Sequence, residues 1–205
     1  MRPEHQAIWF PGLPEEQWKS AHGVFQSKGD DGGGRWNYEK PVEDSWVMQY
    51  KNLKFLARTS NSRHLGVFPE QANHWDWIAS QVGSSKKPVR VLSLFGYTGL
   101  ASLTAAQAGA QVTHVDASKK TITWARENQR LSGLEDKPIR WIIDDALKFI
   151  QREARRKARY DGLILDPPKF GRGPKGEVWE AFDMLPDLLA ACRAILSPDP
   201  CFLVI

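Results

Sequence analysis

Cysteine is scarce in this sequence and shows no chemically informative spacing. Only Cys192 and Cys201 occur among 205 residues, no C-x-x-C is present, and the five histidines are scattered along the chain. A disulfide framework needs several cysteines, and a zinc site needs cysteine or histidine ligands at short, regular spacing. We therefore expect no disulfide framework, no metal site and a reducing, cytoplasmic environment.

Long hydrophobic runs and a strong excess of one charge are also missing. No stretch of about 18 apolar residues occurs, and the first residues, MRPEHQAIWFPGLPEE, contain no long apolar core after the basic residue. Neither export nor membrane insertion is expected. Lysine and arginine number 28 against 24 for aspartate and glutamate, a net charge of +4 that is compatible with a nucleic-acid partner but does not identify one. The apolar share of 41% is that of a folded domain.

Residues 1–64 differ in pattern from the rest of the chain. Prolines punctuate the start, the run GDDGGGR at 29–35 predicts a flexible turn, and residues 45–50 and 53–59 favour strand. We predict a small β-rich segment over residues 1–64, followed by a second domain over residues 65–205. The aromatic rings of the first segment suit either stacking on unpaired bases or, as we prefer, a small core built on large side chains. These rings are Trp9, Trp18, Trp36 and Trp46.

From Gly66 onwards, predicted strands and helices alternate. The predicted helices cover residues 71–82, 100–108, 119–131, 146–156 and 178–196, and the predicted strands cover residues 89–95, 111–115, 139–143, 162–165 and 202–205. This alternation predicts an α/β fold with a doubly wound, mainly parallel, Rossmann-like sheet. In such a sheet ligands bind at the carboxyl ends of the strands, where the strand order reverses.

The last predicted strand reaches the final residue of the sequence. A sheet that ended at Ile205 would leave an apolar edge without a partner, and natural domains normally cover such edges. We therefore expect the C-terminal strands of the sheet to be missing from this sequence.

Residues 89–101, VRVLSLFGYTGLA, have the pattern of a buried strand, a tight turn and a helix. Gly96 and Gly99 bracket the turn, and Asp116 closes the following strand in THVDAS. A carboxylate at the end of the second strand of a βαβ unit can accept hydrogen bonds from both ribose hydroxyls. Backbone amides at the start of the helix suit a carboxylate or a phosphate. The pattern therefore predicts a site for a nucleoside.

One position in the turn helps to separate the possible nucleosides. Dinucleotide-binding turns have the pattern G-x-G-x-x-G, but in that register this sequence has Gly96, Thr98 and Ala101. The second glycine normally lets the backbone approach a pyrophosphate, and a Cβ at residue 98 is expected to crowd that group. S-adenosylmethionine carries no phosphate, so we predict this cofactor. A nicotinamide or flavin cofactor, and an α/β module without catalysis, remain as alternatives.

A pair of acids follows the third strand of the predicted sheet, in IIDDALKFI. Asp145, followed by the small Ala146, is well placed to accept a hydrogen bond from an adenine amino group, and Asp144 is a weaker candidate. The alternative is that one of the two acids caps the next helix, since aspartate is strongly preferred at that position. The two roles are compatible.

The fourth strand ends in GLILDPPKF, residues 162–170. Pro167 and Pro168 remove two amide donors and hold the chain extended, so the Asp166 carboxylate and nearby carbonyl oxygens are expected to face the crevice as acceptors. Such acceptors suit the edge of a nucleobase, and Phe170 offers a ring for stacking. The alternative is a rigid turn that merely ends a strand.

The order VLSLFGYTG, VDAS, IDDALKFI and DPPKFGRG resembles the class I S-adenosylmethionine methyltransferases of the large-subunit ribosomal RNA cytosine-5 and guanine group, over residues 65–205. The resemblance implies that the glycine turn surrounds the methionine part of the cofactor, that Asp116 holds the ribose and Asp145 the adenine, and that Asp166 faces the transferred methyl. The implied cofactor-binding set is Phe68, Gln71, Phe95, Gly96, Tyr97, Thr98, Gly99, Asp116, Ala117, Asp144, Asp145, Ala146 and Asp166. The implied catalytic set is Asp166, Pro167, Pro168, Lys169 and Phe170.

The presence of a nucleophilic cysteine indicates which base atom is methylated, because methylation of cytosine C5 needs prior attack by a thiolate at C6. Cys192 lies among leucines and isoleucines on a predicted helix, so we expect an ordinary core residue. In the cytosine-5 members of the family the nucleophilic cysteine follows the fifth strand, and here that position is beyond Ile205.

Basic residues surround the predicted base slot. Lys169, Arg172 and Lys175 lie in a loop punctuated by glycine and are candidates for contacts with RNA phosphates, the alternative being a solvated loop. We therefore expect S-adenosylmethionine-dependent methylation of a nucleobase in RNA, in particular ribosomal RNA. The alternatives are a methyltransferase for a small metabolite and a non-catalytic, donor-binding module that contacts RNA or protein.

Overall fold

The computed structural model of the chain describes residue 10, residues 12–28 and residues 33–205. Trp9 and the first four residues of the glycine-rich run at 29–35 therefore lie outside the described residues. The chain divides into two compact units, Met1–Met48 with Leu56–Val67, and Gln49–Phe55 with Phe68–Ile205.

The first unit contains a short helix and a two-stranded antiparallel sheet. Helix α1 spans Glu15–Lys19, and strands β1 (Gly23–Ser27) and β2 (Gly34–Tyr38) pair so that Phe25 lies opposite Trp36. The two rings meet edge to face with centroids 5.4 Å apart, and Phe25 is buried. Trp36 therefore packs on a buried ring, as the preferred interpretation expected, whereas Trp18 is 39% exposed and does not fit it.

The two strands predicted after this sheet are present. They are β3 (Ser45–Tyr50) and β4 (Leu53–Arg58), and they pair in a second two-stranded sheet. In β4 the buried positions alternate with more exposed ones, the period-2 pattern of a strand with one covered face.

The second unit has the predicted alternation of strands and helices. After a 3-10 turn at Pro69–Gln71 its helices are α2 (Ala72–Ser84), α3 (Leu100–Gln107), α4 (Lys119–Leu131), α5 (Ala146–Arg155) and α6 (Ala181–Ile195). Its strands are β5 (Arg90–Leu94), β6 (Gln111–Asp116), β7 (Ile139–Ile143), β8 (Gly162–Leu165), β9 (Phe170–Arg172), β10 (Val178–Glu180) and β11 (Phe202–Val204).

Five of these strands form one parallel sheet in the order β11-β8-β5-β6-β7. The chain moves outward from β5 through β6 to β7 and then returns to the other side of β5 with β8. The strand order therefore reverses between β5 and β8, and the crevice outside the carboxyl ends of these two strands is the expected ligand site. The predicted doubly wound α/β sheet is confirmed.

Each face of the sheet is covered by helices because its strands are apolar on both sides. On one face Leu92, Leu94 and Leu163 pack with residues of α5 and α6 such as Ile150 and Leu188. On the other face a second buried cluster joins the sheet to α2 and α3. Burial on both faces explains why β5 and β8 appear in the sequence as continuous apolar runs.

The prediction of a helix from residue 178 was wrong in its first turn. Val178–Glu180 instead forms β10, which pairs antiparallel with β9, and the helix begins at Ala181. A tight turn joins the two strands, with the Gly173 amide bonded to the Glu177 oxygen at 2.8 Å and Gly176 at φ +85°. Glycine adopts that left-handed conformation at little cost, which lets the hairpin close.

Candidate functional site

The turn after β5 has an unusual backbone. Phe95 and Tyr97 have φ of +55° and +51°, and Gly99 has φ +87°. A positive φ is costly for a side chain with a Cβ, and such strain is concentrated at functional turns. The turn is held by hydrogen bonds from the Gly96 amide to the Val115 oxygen, at 3.1 Å, and from the Gly99 amide to the Gly96 oxygen, at 3.0 Å.

Gly96 is required by a buried histidine beneath the turn, a neighbour that no signal in the sequence around Gly96 indicates. A Cβ on Gly96 would lie 2.5 Å from Nδ1 and 2.9 Å from Nε2 of His114. The His114 ring is completely buried, lies 2.9 Å from the Ser102 hydroxyl and packs on Trp141. Burial lowers the pKa of His114 to about 3, so the ring is neutral at physiological pH and serves as a rigid support.

Thr98 does not occupy the open side of the turn. Its side chain is 2% exposed, and its backbone oxygen accepts a hydrogen bond from the Asn128 amide at 3.0 Å. The sequence predicted that the Thr98 side chain would crowd a pyrophosphate. This prediction was wrong, because that side chain is packed inside the protein.

Asp116 ends β6 beside this turn and is anchored by three protein groups. Its Oδ2 accepts from the Tyr97 amide at 2.9 Å, and its Oδ1 accepts from the Ser118 amide and the Thr121 hydroxyl, both at 2.8 Å. A carboxylate has about four acceptor positions, so one position on Oδ2 is left for a ribose hydroxyl. Asp116 therefore both shapes the turn and retains one acceptor position for a ligand; Ala117 follows it directly.

Aromatic rings and an amide extend the site from the segment before α2. Phe68 packs on Tyr97 with centroids 5.4 Å apart, and Tyr97 lies 6.4 Å from Trp124. Gln71 donates from Nε2 to Oδ2 of Asp166 at 2.7 Å. The structure thus brings Phe68 and Gln71 to the two predicted turns, as the resemblance implied, although their roles toward a ligand stay predictions.

The two acids after β7, Asp144 and Asp145, both accept hydrogen bonds from other groups of the protein. Asp145 is the N-cap of α5 and accepts from the Lys148 amide at 2.8 Å, which is the capping alternative. Asp144 accepts from the Asp145 amide at 2.9 Å and forms an ion pair with Arg152. The second carboxylate oxygen of Asp145 has no hydrogen-bond partner in the described part of the chain. That oxygen remains free for the predicted adenine contact, and Ala146 beside it is buried.

The Asp-Pro-Pro-Lys-Phe turn follows β8, next to the strand that carries the glycine turn. The Asp166 side chain is exposed, and the Phe170 ring is 51% exposed. The turn has a partner that the sequence did not reveal: Trp179 donates from Nε1 to the Pro168 oxygen at 2.7 Å. The Trp179 ring is buried and packs 4.9 Å from Phe95. In Val178–Glu180 only the middle residue, Trp179, is buried. This alternation, typical of a strand, is the sequence signal that could have located Trp179.

The candidate phosphate contacts lie on the β9–β10 hairpin. Lys169, Arg172 and Lys175 are exposed, and the Arg172 guanidinium lies 5.8 Å from the centre of the Phe170 ring. None of the three side chains forms an ion pair with an acid within residues 12–28 and 33–205. The hairpin itself is held to α5 by the Lys148–Glu177 ion pair at 2.8 Å, which lowers the pKa of Glu177 to about 2.

Neither described cysteine reaches this edge of the sheet. Cys192 is 1% exposed within the core, and burial raises the pKa of its thiol to about 12, which confirms the expectation of a core residue. Cys201 precedes β11 at the amino end of the strand. Within the described residues no group of three or more His, Cys, Asp or Glu side chains is arranged to hold a metal ion. In the same residues no helix has the length and apolar character to cross a membrane.

The sheet topology and the site at the carboxyl ends of β5, β6 and β8 define a nucleoside-binding α/β protein of the doubly wound class. Comparison with known proteins then gives its family. A family model described as S-adenosylmethionine-dependent methyltransferase matches residues 2–198, and the chain belongs to this family. The predicted resemblance to this class of enzyme and the predicted cofactor are thereby confirmed.

Individual relatives cover different shares of the chain. A SAM-dependent methyltransferase from Agrobacterium tumefaciens, known from its crystal structure, is 56% identical with a TM-score of 0.91, over 96% of this chain and 63% of that one. Ribosomal RNA large subunit methyltransferase K/L from Shewanella sp. strain ANA-3 is 41% identical over 123 residues, which are 58% of this chain and 17% of that protein. The chain thus spans about a sixth of the length of this relative.

A further solved structure shows likeness of fold alone. It is a protein crystallised in complex with SAH, and it is 21% identical to this chain with a TM-score of 0.73, over 89% of this chain and 47% of that one.

Proposed function

We propose that this protein transfers a methyl group from S-adenosylmethionine to a nucleobase in RNA, and specifically in ribosomal RNA. The observation that carries the proposal is the adjacency of two turns at the strand-order reversal. We assign the donor site to the glycine turn after β5, and the Asp166 turn after β8 presents a carboxylate and an exposed ring beside it. The name of the Shewanella relative supports ribosomal RNA as the substrate.

The residues present fit the methyl donor. The free acceptor position on Asp116 suits a ribose hydroxyl, and the free oxygen of Asp145 suits the adenine amino group. Phe95, Gly96, Tyr97, Thr98 and Gly99 form the turn that leads into the N-terminus of α3, where a carboxylate is favoured. The site thus offers one acceptor position to a ribose hydroxyl and one to the adenine amino group.

The donor supplies an electrophilic methyl on its sulfonium, and the protein's part is to position the acceptor atom and exclude water. Gln71 holds Oδ2 of Asp166 at 2.7 Å, which leaves Oδ1 to accept a hydrogen bond from an amino group of the base. Pro167 and Pro168 keep that carboxylate at the end of a rigid segment. The Phe170 ring gives the base a stacking surface, a contact worth about 1 to 3 kcal/mol per base.

The hairpin provides the contacts to the RNA backbone. Lys169, Arg172 and Lys175 are exposed cations without acidic partners in the part of the chain that the structure describes. The Arg172 guanidinium lies 5.8 Å from the centre of the Phe170 ring, so a strand whose base stacks on Phe170 passes within its reach. Charge neutralisation of phosphates by such side chains releases counterions and makes binding depend on salt.

Methyl incorporation tests the reaction. The complete protein is incubated with isotopically labelled S-adenosylmethionine and with total RNA from a strain that lacks its gene, and the labelled nucleotide is mapped. We expect label in large-subunit ribosomal RNA, and a strong reduction in the Asp166→Ala variant. Label only in the small-molecule fraction would make this a metabolite methyltransferase. Donor binding without any transfer would make it a non-catalytic module.

Salt dependence tests the RNA contacts separately. Replacing Lys169, Arg172 and Lys175 together by Gln should lower the slope of log affinity against log salt by about 2, at about 0.7 per phosphate on a single strand. A matched variant replaces Lys86, Arg130 and Arg155, which are exposed and lie outside the hairpin, by Gln. An equal change in both triple variants would show a general effect of net charge and reject the assigned contacts.

A further inference from the structure

A second cavity lies at the opposite edge of the sheet from the methyl-donor site. Its volume is about 390 Å³, within the range of about 300 to 1,000 Å³ that is usual for small-molecule sites. Arg90, Gln111 and Ile139, which line it, are the first residues of β5, β6 and β7. The cavity is therefore at the amino ends of the strands, a strand length away from the turns that bind the donor.

The register of the sheet explains why polar side chains meet in this cavity. Arg90 pairs with Gln111, and Thr113 pairs with Arg140. Residues paired in a parallel sheet point to the same face, and so do residues two apart along one strand. All four side chains therefore lie on the face covered by α5, beyond the point where the apolar core ends.

A buried polar pair forms the wall toward α5. The Tyr160 hydroxyl donates to Oε2 of Glu153 at 2.7 Å, and Arg156 lies 3.1 Å from Oε1 of the same carboxylate. Tyr160 is 2% exposed and Glu153 5% exposed. Burial and the hydrogen bond to Glu153 raise the pKa of Tyr160 to about 12, so the hydroxyl stays protonated. The charge of Glu153 is thus already matched by Arg156.

The two arginines that line the cavity, Arg90 and Arg140, are not paired with an acid in the described part of the chain. The Arg90 guanidinium lies 5.1 Å from the centre of the Tyr160 ring, and its contact is with an aromatic face rather than with an acid. Asp161 binds the Arg90 backbone amide at 3.0 Å and the Lys87 ammonium at 3.6 Å. Within residues 12–28 and 33–205, neither Arg90 nor Arg140 forms an ion pair. The cavity lining therefore includes two guanidinium groups that form no ion pair, together with the Glu153 carboxylate, which is paired with Arg156.

We propose that this cavity binds a small phosphorylated molecule, whose phosphate is held by Arg90 and Arg140, at a site separate from the methyl-donor site. A phosphate monoester carries a charge of about −1.5 to −2 at neutral pH, which matches two guanidinium groups, whereas a carboxylate would neutralise only one. Guanidinium groups bind phosphate oxygens through paired hydrogen bonds. The side-chain amide of Gln111 offers a further donor on the same face.

Calorimetric titration with AMP, and separately with inorganic phosphate, tests this site. We expect saturable binding of AMP to the protein both alone and in the presence of saturating SAH. Arg90→Gln and Arg140→Gln should each weaken AMP binding by about tenfold, because a hydrogen bond to a charged group is lost. Arg155→Gln is the matched control, since Arg155 is an exposed arginine on α5 that does not line the cavity.

Several outcomes would overturn the proposal. They are an absence of saturable binding at millimolar AMP, displacement of AMP by SAH, and an equal loss of affinity in Arg155→Gln. Thermal unfolding of each variant verifies that it is folded, and the side chains of Arg90 and Arg140 are exposed enough for the substitutions to be tolerated.

A short 5′-phosphorylated RNA in the same titration identifies the source of the phosphate. Competition with AMP that is lost in Arg140→Gln would support the site and assign its phosphate to a nucleic acid. Methyl transfer is measured in parallel, so a failure of phosphate binding is distinguishable from a failure of the proposed methyltransferase activity.

Discussion

Trp179 and Pro168 are joined by a hydrogen bond of 2.7 Å from the indole Nε1 to the backbone oxygen. The same indole ring packs on Phe95 with centroids 4.9 Å apart. Pro168 belongs to the turn after β8, and Phe95 belongs to the glycine turn after β5. One buried side chain therefore contacts both turns of the candidate site and joins the segment after β8 to the segment after β5.

The Trp179→Phe variant isolates the hydrogen bond, because Phe retains a ring against Phe95. We expect the free energy of unfolding to fall by about 1 kcal/mol, the usual net value of one hydrogen bond. Donor affinity should be preserved while kcat for methyl transfer falls, since the turn that carries Asp166 loses an anchor. Urea denaturation, calorimetry with SAH and initial rates measure the three quantities. Trp77→Phe is the control because Trp77 is 45% exposed, and a Trp179→Phe protein with normal kcat would contradict this role.

Asp116→Ala should weaken donor binding by about 1 to 3 kcal/mol, because a ribose hydroxyl loses its acceptor. The fold should also lose stability, since the Tyr97 and Ser118 amides and the Thr121 hydroxyl lose their partner. Thr121→Val separates the two effects: it removes the hydroxyl that donates to Asp116 and to the Ser118 oxygen, and it leaves the acceptor for the ribose. Calorimetry with SAH and urea denaturation are the measurements. Undiminished donor affinity in Asp116→Ala would reject the assignment.

Gly96→Ala should destabilise the fold by about 1 to 3 kcal/mol, because the added methyl overpacks the buried His114 ring. In a double-mutant cycle, Gly96→Ala combined with His114→Ala should cost less than the sum of the two single changes, since the clash is then removed. Gly83→Ala is the matched control: a Cβ there meets nothing within 4 Å, and alanine in a helix should add about 0.5 to 1 kcal/mol. Additive costs in the cycle would show that the ring is not what excludes a side chain at residue 96.

The free energy of unfolding should fall as the pH is lowered from 6.5 toward 3, because His114 is buried in its neutral form. Burial lowers its pKa from 6.5 in the unfolded chain to about 3 in the folded protein, so below pH 6.5 the unfolded chain binds a proton that the folded protein does not. The contribution of His114 is therefore complete above pH 6.5 and declines toward pH 3, with a slope of up to about 1.4 kcal/mol per pH unit. Urea midpoints at pH 7 and pH 5 measure it. His114→Asn should flatten this dependence and His74→Asn, at an exposed position, should not; an unchanged slope in His114→Asn would refute the assignment.

Signals between residues close together in the sequence predicted most of the helices and strands of the second unit. Ser118 accepts a hydrogen bond from the Thr121 amide at the start of α4, and Asp145 does the same for Lys148 in α5, as the preference for these residues at helix starts predicts. Apolar runs and glycines placed the parallel strands within one or two residues of their observed bounds. Such features depend on residues close together in the chain, so a single sequence is enough to locate them.

Contacts between distant residues escaped prediction. Nothing near Gly96 indicates that His114 lies beneath it, and nothing in DPPKF indicates that an indole eleven residues later binds Pro168. The acceptor capacity of Asp116 was also overstated, since the distant Tyr97 amide takes one of its four positions and the nearby Ser118 and Thr121 take two more.

The sequence by itself determined the alternation of strands and helices, and with it the edge of the sheet at which the donor site is proposed, because periodicity and capping act over a few residues. Only the tertiary structure decided what each polar group at that edge already binds, and that two arginines of β5 and β7 share a cavity at the other edge. The physical reason is that strand order and register bring together residues far apart in the chain, and hydrogen bonds and charges act across the space between them.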